Sequence, residues 1–298
     1  MDMRIIATGD WHIRGKGPRI RKDDYAEVQF NKIKWIRNLA NELDATIILA
    51  GDVFDKPYCS LYWLNRYIFL LKTVENGVGG IFGQHDIFYH NPVLDKTPYN
   101  TLLAAGAIRE SNYFDYEWED VSFGQEPRNL EGSDCLLIHF PVTFKEPPFF
   151  MPDALSAKQF MNKYPQYKLI VSGDYHDHHI TKYKDRLLIN PGPIMRSAKD
   201  KMNYKPSVTF VDTDTLEYKV YYIPIEEDVF DLDKIDKDDM SSYKQDVKEL
   251  AQSIKFQTQG KEYEEVLQIV IEEAKADKVT RKIISDIMEK VHERLGTN

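Results

Sequence analysis

The chain has 298 residues, 48 acidic against 39 basic, and a formal net charge of −9 at pH 7. Its 42% apolar and 29% charged content argues against disordered and fibrous architectures, and its length suits one large domain, or one with a smaller companion. No apolar run approaches the roughly 18–20 residues of a membrane span, the stretch in MDMRIIATGD is too short for a signal-peptide core, and the distant cysteines Cys59 and Cys135 suit a reducing compartment, so the expected setting is cytoplasmic with no membrane partner.

In chain order, the apolar runs at 3–8, 46–50, 78–82, 135–138, 168–172 and 187–190 read as strands. The stretches at about 23–43, 60–76 and 153–164 have the length and pattern of helices. The runs 206–211 and 217–223, joined by DTDT, read as a hairpin closing a sheet. Strands alternating with helices point to an α/β layered fold. Beyond YKVYYIPI the composition shifts: residues 225–298 hold 19 acidic and 12 basic side chains. The chain is therefore expected to divide into a catalytic domain, 1–224, and a region 225–298. The latter would open with an acidic linker, EEDVFDLDKIDKDD, and continue with helices near 261–276 and 280–295, the second capped by Thr280.

One pattern recurs along the first region. IIATGD ends at Asp10, IILAGD at Asp52 and LIVSGD at Asp174, and a looser copy, GGIFGQHD, carries Gln84, His85 and Asp86. Each is a short apolar run, then a glycine, then a residue able to ligate a metal. A single Gly-Asp after a strand is ordinarily a turn or a helix cap. Four such copies place Asp10 and His12, Asp52 and Asp55, Gln84 to Asp86, and Asp174 and His176 at the carboxyl ends of strands, where α/β sheets build their sites. His139 ends a further apolar run, CLLIHF. Carboxylates, an amide and imidazoles from separate strands suit Mn²⁺, Mg²⁺ or Fe²⁺, and the absence of cysteine ligands argues against structural zinc.

The motifs Asp10-Trp11-His12, Gly51-Asp52-Val53-Phe54-Asp55, Gly83-Gln84-His85-Asp86, His139 and Gly173-Asp174-Tyr175-His176, in this order, resemble those of the calcineurin-like metallophosphoesterase superfamily. The stretch GDVFDKP, the length and the tail are most similar to SbcD-type DNA repair and recombination nuclease subunits of bacteria and phages. The resemblance implies a two-layered β-sandwich flanked by helices, with a small C-terminal helical domain that caps the fold or docks on a partner. It implies two divalent ions, Mn²⁺ foremost. Asp10, His12, Asp52 and His176 would hold the first, and Asp52, Gln84, His139 and Asp174 the second. His85 would be the catalytic histidine, oriented by Asp55. Two residues depart from the pattern: Gln84 stands where the family has asparagine, and Asp174 where it has histidine. His178 and His179 are nearby substitutes.

The implied activity is Mn²⁺-dependent hydrolysis of DNA phosphodiesters, as exo- and endonuclease, beside an SbcC-type ATPase. The loop carrying Arg14, Lys16, Arg19, Arg21 and Lys22 follows the first motif and has the charge to track a DNA backbone; the alternative is a solvated basic loop balanced by Asp23 and Asp24. The apolar helix near 60–76 is either buried on the sheet or, as the resemblance implies, a homodimer surface. Rival readings are a metallophosphatase or small-molecule phosphodiesterase on the same fold, and a catalytically weak scaffold.

Overall fold

The computed structural model describes residues 3–91, 93–111, 118–148 and 151–231. The chain divides into two compact units, and the first, ending at Asp231, contains all the described residues. The two expected tail helices, Thr280 and most of the expected linker lie outside them.

Two five-stranded sheets form the body. The first has the order β12-β11-β1-β2-β3, with β1 (Arg4–Thr8), β2 (Thr46–Ala50), β3 (Val78–Ile81), β11 (Ser207–Asp212) and β12 (Tyr218–Tyr222). The second has the order β4-β5-β8-β10-β9, with β4 (Trp118–Val121), β5 (Cys135–His139), β8 (Leu169–Gly173), β9 (His179–Tyr183) and β10 (Arg186–Asn190). Strands β1 to β3 run parallel, as do β4, β5, β8 and β10, while β11, β12 and β9 pair antiparallel at the edges. A two-stranded piece, β6 (Val142–Thr143) with β7 (Leu155–Ser156), lies outside both.

Alternation along each strand assigns its two faces. Ile5, Ala7, Ile48 and Ala50 point into one core with Leu137, Leu169, Val171 and Ile189 of the second sheet. Their neighbours Ile6, Ile47 and Leu49 face helices α1 (Tyr25–Glu42), α2 (Leu61–Leu71) and α3 (Pro98–Ala104). On the far side Leu136, Ile138, Ile170 and Leu188 meet Phe160 and Met161 of α4 (Ala157–Lys163). Strands covered on both faces are apolar at most positions, which is why they stand out as near-continuous runs in the sequence. The result is the expected two-sheet sandwich with helices on both outer faces.

Three unexpected elements are strands β4 and β9, which carry polar side chains, and helix α3, whose buried Tyr99 and Leu102 fall within only seven residues. In β4, WEDV, the carboxylate of Glu119 is fully buried, accepting hydrogen bonds from the Tyr167 hydroxyl and from the backbone N–H of Arg128 and Leu130. In β9, HITKY, the edge position leaves polar side chains in place. Helix α2 stops at Leu71, capped by Ser60 at its start. It buries Leu64, Tyr67, Leu70 and Leu71, as expected of a helix packed on the sheet, while Leu61, Tyr62 and Phe69 remain exposed.

The first unit runs past 224, to Asp231. Asp231 N–H donates to Ile20 O at 2.8 Å, Lys22 N–H to Val229 O at 3.0 Å, and the Lys32 ammonium to Pro224 O. Val229 and Phe230 are buried, the latter between the guanidiniums of Arg21 and Arg196. Residues 226–231, read as the start of a linker, are thus docked on the loop after β1. Among core side chains, Phe160 is enclosed by both α4 and the second sheet. Phe160→Ala is expected to lower the unfolding free energy by about 3–5 kcal/mol, read from the denaturant midpoint.

Candidate metal centre

The parallel strands of both sheets end at one place. After β1 the chain continues as Gly9, Asp10, Trp11 and His12, with Asp10 and His12 both in the left-handed region at φ 48° and 47°. Asp52 after β2 and Asp174 after β8 share that conformation, at φ 48° and 80°. Non-glycine residues seldom adopt it, and clusters of such residues mark functional sites. The first two loops run side by side: Asp10 N–H donates to Gly51 O at 3.1 Å and His12 N–H to Asp52 O at 3.0 Å.

Two side chains hold these loops: Gln29, to which the sequence reading gave no role, and Asp86, expected among the ligand-type residues but engaged with the backbone instead. Gln29, fully buried on α1, donates to the carbonyls of Trp11 at 2.6 Å and His12 at 3.1 Å and accepts from Arg14 N–H at 3.1 Å. A polar residue within the apolar face of α1 was the available signal. Asp86, also fully buried, accepts from the backbone N–H of Gly83 at 2.9 Å, Val53 at 3.1 Å and Phe54 at 2.8 Å, tying the GQHD turn to the GDVFD loop. Burial and the nearby Asp52 charge push its carboxyl up to about 7.

At the centre stands Asp52. Its Oδ1 accepts the His85 backbone N–H at 3.0 Å, while its Oδ2 is buried without a hydrogen-bond partner. Three ring nitrogens face that oxygen: Nε2 of His139 at 3.6 Å, of His12 at 3.7 Å and of His85 at 3.9 Å. These distances exceed hydrogen bonds but suit atoms gathered around a common cation. Asp10 Oδ2 is likewise buried and unpartnered. His12 and His176 approach with their Nε2 atoms 3.2 Å apart, and His176 Nε2 lies 3.9 Å from Asp10 Oδ1. On the other side of Asp52, Gln84 Oε1 is 2.7 Å from His139 Nε2, and Gln84 Nε2 donates to Asp174 Oδ1 at 2.6 Å. His139 Nδ1 sits 2.7 Å from Ala50 O, which leaves Nε2 turned to the centre.

The protonation states follow from burial and charge. Burial pushes His12 down to about 3 and lowers His176, so both are neutral rings with a free lone pair. Burial would raise Asp52, but His139 above all, with His12 and His85, holds it below the usual carboxylate range. His139 is lifted to about 10, the field of Asp52 overcoming its burial, and Asp10 is raised well above its ordinary value by desolvation. The cluster therefore favours positive charge at its centre, and a dication can supply what these protons otherwise supply. Donor set, orphaned oxygens and charge all fit divalent metal. Three groups of ligand type stand within reach of one ion: Asp10, His12 and His176; Asp10, Asp52 and His139; and His12, Asp55 and His85.

The remaining expected residues fall less simply. Asp55 meets His85 through its backbone carbonyl, 2.9 Å from Nδ1, rather than through its carboxylate. That carboxylate pairs with the Arg14 guanidinium, which neutralises it and withdraws Arg14 from the surface face of the loop. Arg21 is buried, donating to Asp23 at 2.8 Å and to Arg196 O at 2.6 Å, so its expected place on a DNA-tracking surface is corrected to a structural one. Lys22 pairs with Asp228 at 2.8 Å, and Lys16 and Arg19 are exposed. His179 Nε2 lies 2.8 Å from Val142 O, and neither it nor His178 joins the ligand groups found among the described residues.

This geometry accompanies a sequence match of residues 3–216 to the calcineurin-like phosphoesterase superfamily domain, and the chain belongs to that superfamily. Its members use divalent metals, and the ligand groups above are where this chain offers them. Among solved structures it is similar to a novel archaeal phosphodiesterase, at 16% identity over 74% of this chain and 99% of that one, with a TM-score of 0.40. It is similar also to vacuolar protein sorting 29 from Cryptosporidium parvum, at 14% identity, 74% and 96% coverage and a TM-score of 0.37. A metallophosphoesterase from Sphaerobacter thermophilus shows 15% identity, 76% and 90% coverage and a TM-score of 0.35. A search of curated proteins gives no match.

Gly173 is pressed between Ala50 O, which an added Cβ would overlap, and the His139 ring, whose Nδ1 would lie 2.8 Å away. Gly173→Ala is therefore expected to abolish divalent-metal binding in calorimetry. Gly15→Ala, whose Cβ would make ordinary contact with Trp63 at 3.6 Å, should retain it.

Proposed function

We propose that the chain is a metal-dependent DNA phosphodiesterase, an exo- and endonuclease of recombination or repair acting with an SbcC-type ATPase. The observation that carries phosphodiester chemistry is the unpartnered Oδ2 of Asp52 at the meeting point of three imidazoles. In this reading Asp10, His12, Asp52 and His176 hold one ion and Asp52, Gln84, His139 and Asp174 the other, with Mn²⁺ suiting the mixed oxygen and imidazole set, and Mg²⁺ or Fe²⁺ as further candidates. When bound, such ions neutralise phosphate oxygens and activate water for in-line attack.

His85 stands half-exposed at the rim, the exposure a histidine acting on substrate needs. With Nδ1–H donating to the Asp55 carbonyl, Nε2 is the nitrogen left for substrate, and as the doubly protonated imidazolium the ring would hydrogen-bond the phosphate and pass the Nε2 proton to the leaving oxygen. The Asp52 hydrogen bond to its backbone N–H fixes that position relative to the metal ligands. Lys16, Arg19 and Lys22, exposed on the loop leaving the first motif, support a polyanionic strand as substrate. The exposed Leu61, Tyr62 and Phe69 of α2 support a second copy of the chain as a further partner. The withdrawal of Arg14 and Arg21 leaves a smaller basic footprint and favours, as second reading, a phosphodiesterase of small molecules.

With purified protein and Mn²⁺, end-labelled single- and double-stranded DNA should be cut faster than a chromogenic phosphodiester; the reverse preference supports the second reading. His85→Ala is expected to slow cleavage by about 10²-fold or more while metal stoichiometry stays at the wild-type value. A variant that loses its metals would reassign His85 as a ligand. Neutralising Lys16, Arg19 and Lys22 together should flatten the salt dependence of DNA binding by a slope of about 2–3, with hydrolysis of the chromogenic ester unchanged.

A further inference from the structure

We infer that the two cation positions are chemically unequal, and that Gln84, by holding Asp174, makes the second one selective for a hard, oxygen-seeking dication. This rests on the two-metal reading and concerns how the chain's own side chains divide between the positions.

The first position is rich in nitrogen. Nε2 of His12 and Nε2 of His176 are 3.2 Å apart, their rings edge to face. Ligand atoms about 2.1 Å from one ion stand about 3.0–3.4 Å from each other in tetrahedral or octahedral geometry. The two rings are thus already at the spacing of shared ligands. The second position is rich in oxygen. Beside the single nitrogen, His139 Nε2, it gathers Gln84 Oε1 at 2.7 Å, Asp52 Oδ2 at 3.6 Å and Asp174 Oδ1 at 3.9 Å from that atom. Two imidazoles suit borderline ions such as Zn²⁺; one imidazole with two carboxylates and an amide suits Mn²⁺ or Mg²⁺.

Asp174 does not take its place unaided. It is on the second sheet's side of the site, partly exposed, in a left-handed backbone conformation at φ 80°. Gln84, which follows β3 of the first sheet, reaches across and donates its amide hydrogen to Asp174 Oδ1 at 2.6 Å. The opposite end of the same amide faces His139, so the amide is oriented at both ends; reversing it would set its oxygen against the Asp174 carboxylate. Gln84 therefore acts both as a donor atom and as a positioning residue. Asp174 N–H in turn donates to Asp10 Oδ1 at 3.1 Å, linking the two positions.

The test is calorimetric titration of the metal-stripped full-length chain with Mn²⁺ and, separately, Zn²⁺, so that selectivity is read without turnover. The wild type is expected to bind two Mn²⁺, and to bind its first Zn²⁺ at least about tenfold more tightly than its second. Asp174→His should strengthen the second Zn²⁺ and weaken the second Mn²⁺, each by about tenfold, leaving the first ion unchanged. Gln84→Met should weaken the second Mn²⁺ by about 10–100-fold. In an Asp174→Ala background the same substitution should cost less, since there is no carboxylate left to hold. If Gln84→Met fails to fold, Gln84→Leu, which also removes both ends of the amide, carries the same comparison. Two ions bound with equal Mn²⁺ and Zn²⁺ preference, or losses at Gln84 and Asp174 that multiply independently, overturn the inference and leave the two-metal reading standing. A wild-type chain binding fewer than two ions removes both.

Discussion

The imidazole of His139 is packed against three glycines, Gly51, Gly83 and Gly173, each from the end of a different strand. A Cβ on Gly51 would overlap its Nδ1, and one on Gly83 would overlap the Asp52 carboxylate and lie 2.6 Å from Nε2. Gly51 also needs its positive φ of 88°. This close approach brings two separate sheets within ligand distance of each other. Without it Asp52 and Gln84, at strand ends of the first sheet, would be held apart from His139 and Asp174 of the second by the thickness of a side-chain layer, about 10 Å between stacked sheets. The sandwich core supplies the complementary force, because Ile48 and Ala50 pack on Leu137 and Val171 just behind the site.

That geometry carries an electrostatic cost. Asp10 and Asp52 are almost fully buried beside the half-shielded Asp174, and like charges in a low dielectric raise each other's proton affinity. The structure offsets part of this with backbone N–H donors, as at Asp52 and Asp86, and part with His139. The orphaned oxygens of Asp10 and Asp52 mark what is left over. A buried carboxylate oxygen without a partner is rare in folded proteins and ordinarily has a reason. Here the reason is consistent with the superfamily's use of divalent ions.

Around the centre, several residues with an evident charge serve the framework. Arg14 neutralises Asp55, and Arg21 with Arg196 grips Phe230, so the segment leaving the catalytic unit is fastened to the loop that begins at the first motif. Lys32 does the same for Pro224 and Glu226. Positive side chains in a loop can be mistaken for substrate contacts whenever their partners lie far along the chain; Arg21 and the Arg196 carbonyl are such a pair.

The sequence by itself determined the sandwich strands and the ligand types. Most doubly covered strands are apolar at nearly every position, and a glycine followed by Asp, Gln or His at their carboxyl ends is a local signature that survives without knowledge of the partners. It also showed that Gln84 and Asp174 were unusual, though not that they touch. Only the tertiary structure decided that the two departures form one hydrogen-bonded pair, that Asp55 meets His85 through its main chain, and that Asp86 and Gln29 brace the loops. Strand β4 was hidden because Glu119 is buried through hydrogen bonds from the following loop, at Arg128 and Leu130, and from Tyr167, 48 residues on. In each case the cause is the same: periodicity reports whether a side chain is covered, whereas the identity of a polar partner depends on which strand ends the fold brings together.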